Sequence, residues 1–328
     1  MEFPQSPLHP PPLFFGADMT LKAPFPYFGG KQKIVDLVWS RFGNPRNYVE
    51  PFFGSGAVLL GRKQVGGIET VNDKDGFVCN FWRAVKHDPE AVADAAFRPV
   101  YENELHAVHL HLIAKEAELT ERLEGDLGFY DTSIAGMWAW GLCCWIGSGW
   151  CTEDGPWVQK DGKMVQGEGR GVCRKIPMIA HTGRGLLAPS VRSRLPEFLQ
   201  KLQLRLQHVR VCCGDWTRVV GKSSTYGHGE TAIFFDPPYD TSTDLYGAGN
   251  EGISAEVRKW CVQNGDNPLL KLALCGYDNE HDFLLDYGWS KVNWDGGAGF
   301  SAQGGKRSGA QERIWFNTNC NNKGMYLF

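Results

Sequence analysis

The chain has 328 residues, 42% of them hydrophobic and 22% charged, which fits one large domain or two of ordinary size and excludes wholesale disorder. Thirty-four Lys and Arg against 37 Asp and Glu leave a net charge of −3, so any phosphate-binding surface must be local. The ten cysteines show no Cys-x-x-Cys spacing and are too few for a disulfide scaffold; Cys143-Cys144 and Cys212-Cys213 read as small core hydrophobes. With no secretory pattern at the start, a reducing cytoplasm is the expected location.

Residues 1–20 carry Pro4, Pro7, Pro10, Pro11 and Pro12 with little periodicity and read as a flexible arm. Strand and helix then alternate: a helix over Gln32–Arg41, a strand at Tyr48–Glu50, a helix at Gly56–Arg62, a strand at Glu69–Asn72 and a helix at Phe77–Val85. Such a series builds a parallel α/β sheet. Residues 88–146 read mainly as helix and 147–188 as Gly-rich loop. The stretch Thr132–Thr152 has no charged residue but is broken by Gly141, Gly147 and Gly149, so a buried helix and a turn are expected there rather than a membrane span. Between 160 and 210 stand 11 Lys or Arg against Asp161, Glu168 and Glu197, a local balance of +8. Strands return at Val209–Cys213, Ala232–Asp236, Leu270–Cys275 and Arg313–Asn317. A basic, Trp-rich block is thus inserted into an α/β sheet.

Four segments carry chemistry. Asp236-Pro237-Pro238-Tyr239 follows the apolar run Ala232-Ile233-Phe234-Phe235, and ligands of open α/β sheets bind at the carboxyl ends of such strands. The prolines fix a rigid turn. A carboxylate beside a proline carbonyl can accept both hydrogens of an exocyclic amine, and the tyrosine offers a stacking face for its base. Glu50-Pro51-Phe52-Phe53-Gly54-Ser55-Gly56 joins a strand to a helix through Gly-x-Gly, where backbone can approach a ligand closely. The third glycine of a dinucleotide fingerprint is missing, since Leu59 stands there. Asn72-Asp73-Lys74-Asp75 ends the next strand with a carboxylate placed for a ribose diol or for a helix cap. Phe25-Pro26-Tyr27-Phe28-Gly29-Gly30-Lys31 is a glycine turn opening a helix, with Lys31 able to meet a carboxylate.

In this order the four segments resemble the Dam-type adenine-N6 DNA methyltransferases, over roughly residues 24–86 and 206–317. The resemblance implies S-adenosylmethionine as cofactor and a Rossmann-like sheet carrying an inserted, largely helical and loop-rich target-recognition domain. It implies a catalytic domain over 21–87 and 206–328, with a DNA-binding insert over 88–205. Tyr27, Gly29, Gly30 and Lys31 would lie against the cofactor, Glu50, Pro51, Phe52, Gly54 and Gly56 would wrap its methionine part, and Asp73 would hold its ribose. Cys213-Gly214-Asp215-Trp216 resembles the segment whose aspartate binds the cofactor adenine, although a cap or turn explains it too. Asp236, Pro237, Pro238 and Tyr239 match the catalytic tetrad, with Asp236 also near the cofactor. The family often has Asn where Asp75 stands, and the region 130–190 gives no match to a GATC-reading segment. Within the insert Arg170, Arg174, Lys175 and Arg184 are candidate DNA contacts, as are Lys306 and Arg307 in the glycine-rich loop before the last strand. Leu274-Cys275-Gly276-Tyr277 is expected to help shape the base pocket.

The expected partner is double-stranded DNA, with no membrane, and the expected assembly a monomer or weak dimer. The expected reaction is direct attack of a flipped-out adenine amine on an activated methyl group, with no metal and no covalent nucleophile. No Pro-Cys occurs among the 18 prolines, which removes the cytosine-C5 class. Cytosine-N4 or RNA amine methylation, a silent DNA-binding regulator of the same fold, and a nicotinamide enzyme remain as rivals.

Overall fold

A computed structural model describes residues 21–27, 29–64, 67–145, 149–152, 157–161, 163–166, 185–239, 252–294 and 312–321. The arm expected over 1–20 lies outside them, as do Arg170, Arg174, Lys175, Arg184, Lys306 and Arg307. A 3-10 turn, Gln32–Ile34, opens into α1 (Val35–Phe42), followed by β1 (Asn47–Glu50), α2 (Ala57–Leu60), β2 (Ile68–Asp73) and α3 (Gly76–His87). Next come α4 (Pro89–Ala96), α5 (Glu102–Gly125), α6 (Thr132–Cys144), β3 (Trp157–Lys160), β4 (Lys163–Gln166), α7 (Pro189–Arg192) and α8 (Leu195–Leu206). The chain then runs through β5 (Val209–Cys213), β6 (Thr231–Phe235), α9 (Ile253–Asn264), β7 (Leu270–Tyr277), β8 (Ser290–Asn293) and β9 (Glu312–Phe316).

Seven strands form one sheet in the order β5-β2-β1-β6-β7-β9-β8. The first five in that order run parallel, while β9 is antiparallel to both β7 and β8. Connections leave β1 toward β2 on one side, and β6 stands on the other, so strand order reverses between β1 and β6. Open α/β sheets bind ligands at such a reversal, beyond the strand carboxyl ends. This mixed α/β architecture fits a methyltransferase fold.

Both faces of the sheet are covered, which the alternation of β6 makes plain. Ala232 and Phe234 face one buried cluster, shared with α3, α4, α6 and α8, whereas Ile233 and Phe235 face another, shared with α9. A strand buried on both faces needs apolar residues at every position, and each large side chain so buried contributes about 1.5–3 kcal/mol.

The uncharged stretch forms the buried helix α6, capped by Asp131 through the Ile134 N–H at 2.8 Å. Trp138 of α6 stacks on Phe77 of α3 and meets Phe25 edge-on. Gly141 lets the chain beyond α6 fold back, because a Cβ there would fall 1.9 Å from the Trp150 ring. Among the described residues no helix is long and apolar enough to cross a membrane.

Several elements were not expected, among them helices α7 and α8. The basic block, read as loop, contains the antiparallel hairpin β3–β4, whose signal is Lys160-Asp161-Gly162-Lys163 between β-forming residues. Asp161 has φ 54, the positive φ that a tight two-residue hairpin turn demands and Asp tolerates. Strand β8 is short, polar and at the sheet edge. Helix α9 buries Ser254, Val257 and Cys261 along one face, a spacing diluted by the polar residues around it.

At the opposite end of the sheet from the strand carboxyl ends, Glu69 of β2 receives Arg205 of α8 through two bonds of 2.6 and 2.9 Å and Arg62 through a third of 3.1 Å. All three side chains are buried. Removing one partner leaves buried charge under-compensated. Arg205→Ala should therefore lower unfolding free energy in urea by about 3 kcal/mol; a loss below about 1 kcal/mol would mean Arg62 alone satisfies Glu69.

Candidate active site

The carboxyl ends of β1, β2, β5 and β6 come together on one edge, and backbone and side-chain bonds join their turns. Asn72, buried in β2, donates to Pro51 O at 3.1 Å and Gly214 O at 2.9 Å, tying the turns after β1 and β5 to the strand between them. The Phe53 N–H donates to Asn72 O and the Gly214 N–H to Asp73 O. Sequence reading assigned Asn72 no role; its signal was the amide placed among acidic neighbours at a strand end.

The glycine turn after β1 is built for close approach. Gly54 has φ +45, and a Cβ on it would meet the Tyr27 ring at 2.7 Å. Its N–H donates to Asp73 Oδ2 at 2.8 Å, and its carbonyl accepts from Trp82 Nε1 at 3.0 Å. Gly56, at φ +69, opens α2. Pro51 and Phe52 lead into the turn, and Phe52 packs on Trp216, ring centroids 6.2 Å apart.

Glu50, the last residue of β1, is 3% exposed and accepts the Tyr48 hydroxyl at 2.8 Å. Burial drives its carboxyl well above the usual carboxylate range, against the Tyr48 hydrogen bond that favours the charged form. Among the described residues it makes no ion pair. Asp73 ends β2, and its Oδ1 accepts the Asp75 N–H at 3.0 Å. Burial raises Asp73 too, against several backbone hydrogen bonds.

Lys31 crosses from the glycine turn at Gly29 and Gly30 to the end of β6. Its ammonium is buried, 2.9 Å from Asp236 Oδ2 and 3.5 Å from Glu312 Oε2, and it donates to Gly29 O at 2.6 Å. Burial works against this charge, but Asp236, Cys275 and Glu312 together outweigh it and raise the lysine pKa. The Tyr239 hydroxyl donates to Asp236 Oδ1 at 3.0 Å, and the Tyr239 ring lies edge-on to Tyr277 at 4.6 Å. Pro237 is buried and Pro238 half-buried between them. Sequence reading gave Lys31 a carboxylate partner without naming it, and it gave Glu312 no role. The one visible signal for Glu312 was an acidic residue opening an otherwise apolar strand.

Two acidic residues act as helix caps. Asp75 caps α3, accepting from the Phe77 N–H at 2.8 Å and the Val78 N–H at 3.3 Å, which accounts for its place in the sequence. Asp215 caps the 3-10 helix Trp216–Val219 through the Thr217 N–H at 2.9 Å and also accepts the Thr217 hydroxyl; Trp216 is buried beneath. The candidate DNA contacts Arg170, Arg174, Lys175, Arg184, Lys306 and Arg307 lie outside the described residues.

Asp236 and Glu312 pair with Lys31, and Glu50 lies within electrostatic reach of both Asp236 and Asp73, a field suited to a cationic ligand. A field of this sign fits a cationic cofactor.

Burial, with the neighbouring Asp73, pushes Asp75 up to about 7. The folded pKa lies above the ordinary value of 3.8, so the folded state holds a proton that the unfolded state has lost. Stability is therefore fully present below the unfolded pKa and declines as pH rises through about 7. Asp75→Asn keeps a capping side chain without the charge. It should raise the melting temperature more at pH 8 than at pH 5; a shift equal at both values would mean the capping carboxylate carries no burial cost.

Residues 27–116 match the family model of the D12 class N6 adenine-specific DNA methyltransferases. The match takes in Tyr27–Lys31, the Glu50–Gly56 turn and Asp73, and ends before Asp236. A search of curated proteins gave no match. The segment that supplies Tyr27–Lys31, the Glu50–Gly56 turn and Asp73 is thus similar to the D12 class N6 adenine-specific DNA methyltransferases, and it sits in a seven-stranded α/β sheet whose strand ends gather these turns.

Proposed function

We propose that the protein transfers a methyl group from S-adenosylmethionine to the N6 amine of an adenine flipped out of double-stranded DNA, with Asp236–Tyr239 as the catalytic turn. The observation that carries this reading is the position of Asp236. It stands at the carboxyl end of β6, beside the strand-order reversal, paired with Lys31 from the family-matched segment. S-adenosylmethionine, when bound, supplies a methyl group already activated by its sulfonium.

On this reading Glu50, a buried carboxylate with no ion pair among the described residues, receives the cofactor ammonium, and a cation there restores its charged form. Asp73 holds the ribose diol, Asp215 the cofactor adenine, and Phe52 and Trp216 flank that ring. Gly54 and Gly56 allow backbone contact, while Tyr27, packed on Gly54, and Gly29 and Gly30 line the same turn. For the target base, Asp236 and the Pro237 carbonyl accept the two amine hydrogens and Tyr239 stacks on the ring. Those acceptors draw the nitrogen toward tetrahedral geometry, and preorganised acceptors of this kind are worth several kcal/mol in a dry site. As the N6–carbon bond forms and the sulfur–carbon bond breaks with its pair on sulfur, N6 sheds one proton, for which Asp236 is the neighbouring acceptor.

Target recognition falls to the insert over 88–205, with Arg170, Arg174, Lys175 and Arg184 on the phosphates and base edges, joined by Lys306 and Arg307. The described residues on either side of Arg170, Arg174, Lys175 and Arg184 support this assignment. Cys143, near the end of α6, reaches Pro24 O at 4.0 Å, and Gly185 packs on Pro24 so closely that a Cβ would fall 2.1 Å from its carbonyl oxygen. Both ends therefore lie beside the segment that leads into Tyr27.

Labelled S-adenosylmethionine with unmethylated DNA, followed by nucleoside digestion, should yield N6-methyladenine. Asp236→Ala should cut transfer by about 100- to 1,000-fold or more while cofactor binding largely survives. Undiminished turnover in that variant would remove Asp236 from the chemistry. Tyr239→Ala should weaken binding of an extruded adenine by about 1–3 kcal/mol, and unchanged affinity would count against stacking.

A further inference from the structure

Each oxygen of the catalytic carboxylate already has a partner before any base arrives. Lys31 holds Asp236 Oδ2 at 2.9 Å and the Tyr239 hydroxyl holds Oδ1 at 3.0 Å. A neutral amine is a weaker donor than a buried ammonium. It cannot displace Lys31 from Asp236 unless the cation has another seat.

Glu312 supplies one. It begins β9, directly across from Tyr277 of β7, so the antiparallel register fixes where its side chain starts. Its Oε2 is 3.5 Å from the Lys31 ammonium, and that atom is buried without a hydrogen-bond partner among the described residues. A buried acceptor left unsatisfied costs free energy until a donor reaches it. At 3.5 Å the contact is an ion pair but too long for a good hydrogen bond. The Gly29 carbonyl, 2.6 Å from the ammonium, serves as a pivot. The rings of Tyr239 and Trp294, at 5.5 and 5.9 Å, line the same side chain. A short swing of Lys31 about Gly29 O would complete the Glu312 bond and release the Asp236 oxygen.

We propose that Glu312 is a positioning residue for methyl transfer: it takes over the Lys31 ammonium when the target amine takes over Asp236. The inference rests on the assignment of Asp236 made above. The exchange conserves the number of hydrogen bonds and keeps every charge paired, so the base enters without leaving a buried ion alone. Glu312 touches neither base nor cofactor and acts only through Lys31.

Single-turnover transfer from labelled S-adenosylmethionine to unmethylated DNA, measured beside equilibrium cofactor binding, tests the exchange. Glu312→Gln preserves shape and removes the charge; transfer should slow by about tenfold or more with cofactor affinity within about twofold. Glu312→Asp restores the charge one methylene short and should recover part of the loss. A normal rate in Glu312→Gln overturns the proposal. So does a loss equal in both variants, or a parallel fall in cofactor affinity, since each of those is what a merely structural residue gives. Should Glu312→Gln fail to fold, Glu312→Asp carries the test, and an undiminished rate in it overturns the exchange. Asp236→Ala runs in parallel. Native-like transfer by that variant would remove the Asp236 assignment itself, whereas an inactive Asp236→Ala beside a fully active Glu312→Gln removes only the lysine exchange.

Discussion

The buried ammonium of Lys31 is the interaction on which this edge of the molecule depends. Four carboxylates gather at the strand ends, and without a cation among them their mutual repulsion and desolvation would oppose closing the turns. Lys31 meets that need at the point where the chain enters the fold, and it binds a residue 205 positions later in sequence. A buried ion pair gains stability only when its remaining hydrogen-bonding groups are also satisfied. Lys31 has the Gly29 carbonyl and Asp236 has the Tyr239 hydroxyl. Glu312 is the member left incomplete, and incompleteness at a functional edge is where motion is cheapest.

The two ends of the sheet contrast in their polar chemistry. At the amino end, Glu69, Arg62 and Arg205 form a closed set in which both carboxylate oxygens are bonded, and Arg62 and Arg205 also donate to backbone carbonyls of Pro45 and Leu59. That end clamps α8 to β2. At the carboxyl end, Glu50 has the Tyr48 hydroxyl and a Leu59 backbone bond, and burial pushes its carboxyl far up. The same sheet thus carries a carboxylate matched by two cations at one end and, at the other, a buried carboxylate with no cation beside it among the described residues. Asn72 keeps the second from collapsing, since its amide holds the flanking turns at fixed separation.

Much of the sheet was legible because its strands are apolar on both faces and end in acidic or glycine punctuation. Val209–Cys213 appears with the bounds expected, and the other expected strands shift by a residue or two at their ends. What sequence could not give is pairing across long separation. Nothing local in Gly29-Gly30-Lys31 says that the lysine will meet Asp236 rather than solvent. Nothing in Glu312-Arg313 says that the first side chain turns to the site while the second pairs with Asp278 at 3.2 Å. The caps show the opposite limit: Asp75 and Asp215 satisfy local backbone donors, so a short acidic motif is equally readable as chemistry or as helix punctuation. The hairpin β3–β4 was missed for want of weight on Asp161-Gly162, a two-residue signal amid a glycine-rich stretch.

The helical part of the segment between β2 and β5 is not a separate globule. Helices α4, α6 and α8 contribute to the same buried cluster as α3 and the sheet. Trp138 of α6 touches both Phe77 and Phe25. His109 of α5 fixes the chain just beyond α6, stacking on Trp145 at 4.8 Å and accepting the Cys151 N–H at 3.2 Å. Burial lowers the His109 pKa to about 4, so at neutral pH the ring is uncharged and its Nδ1 remains an acceptor. The Trp-rich turn is therefore anchored to the body that carries Lys31 and Asp236. On the proposed reading, a change in that turn on DNA would be felt at Phe25, two residues from Tyr27, through packed aromatic rings that leave little free volume to absorb it.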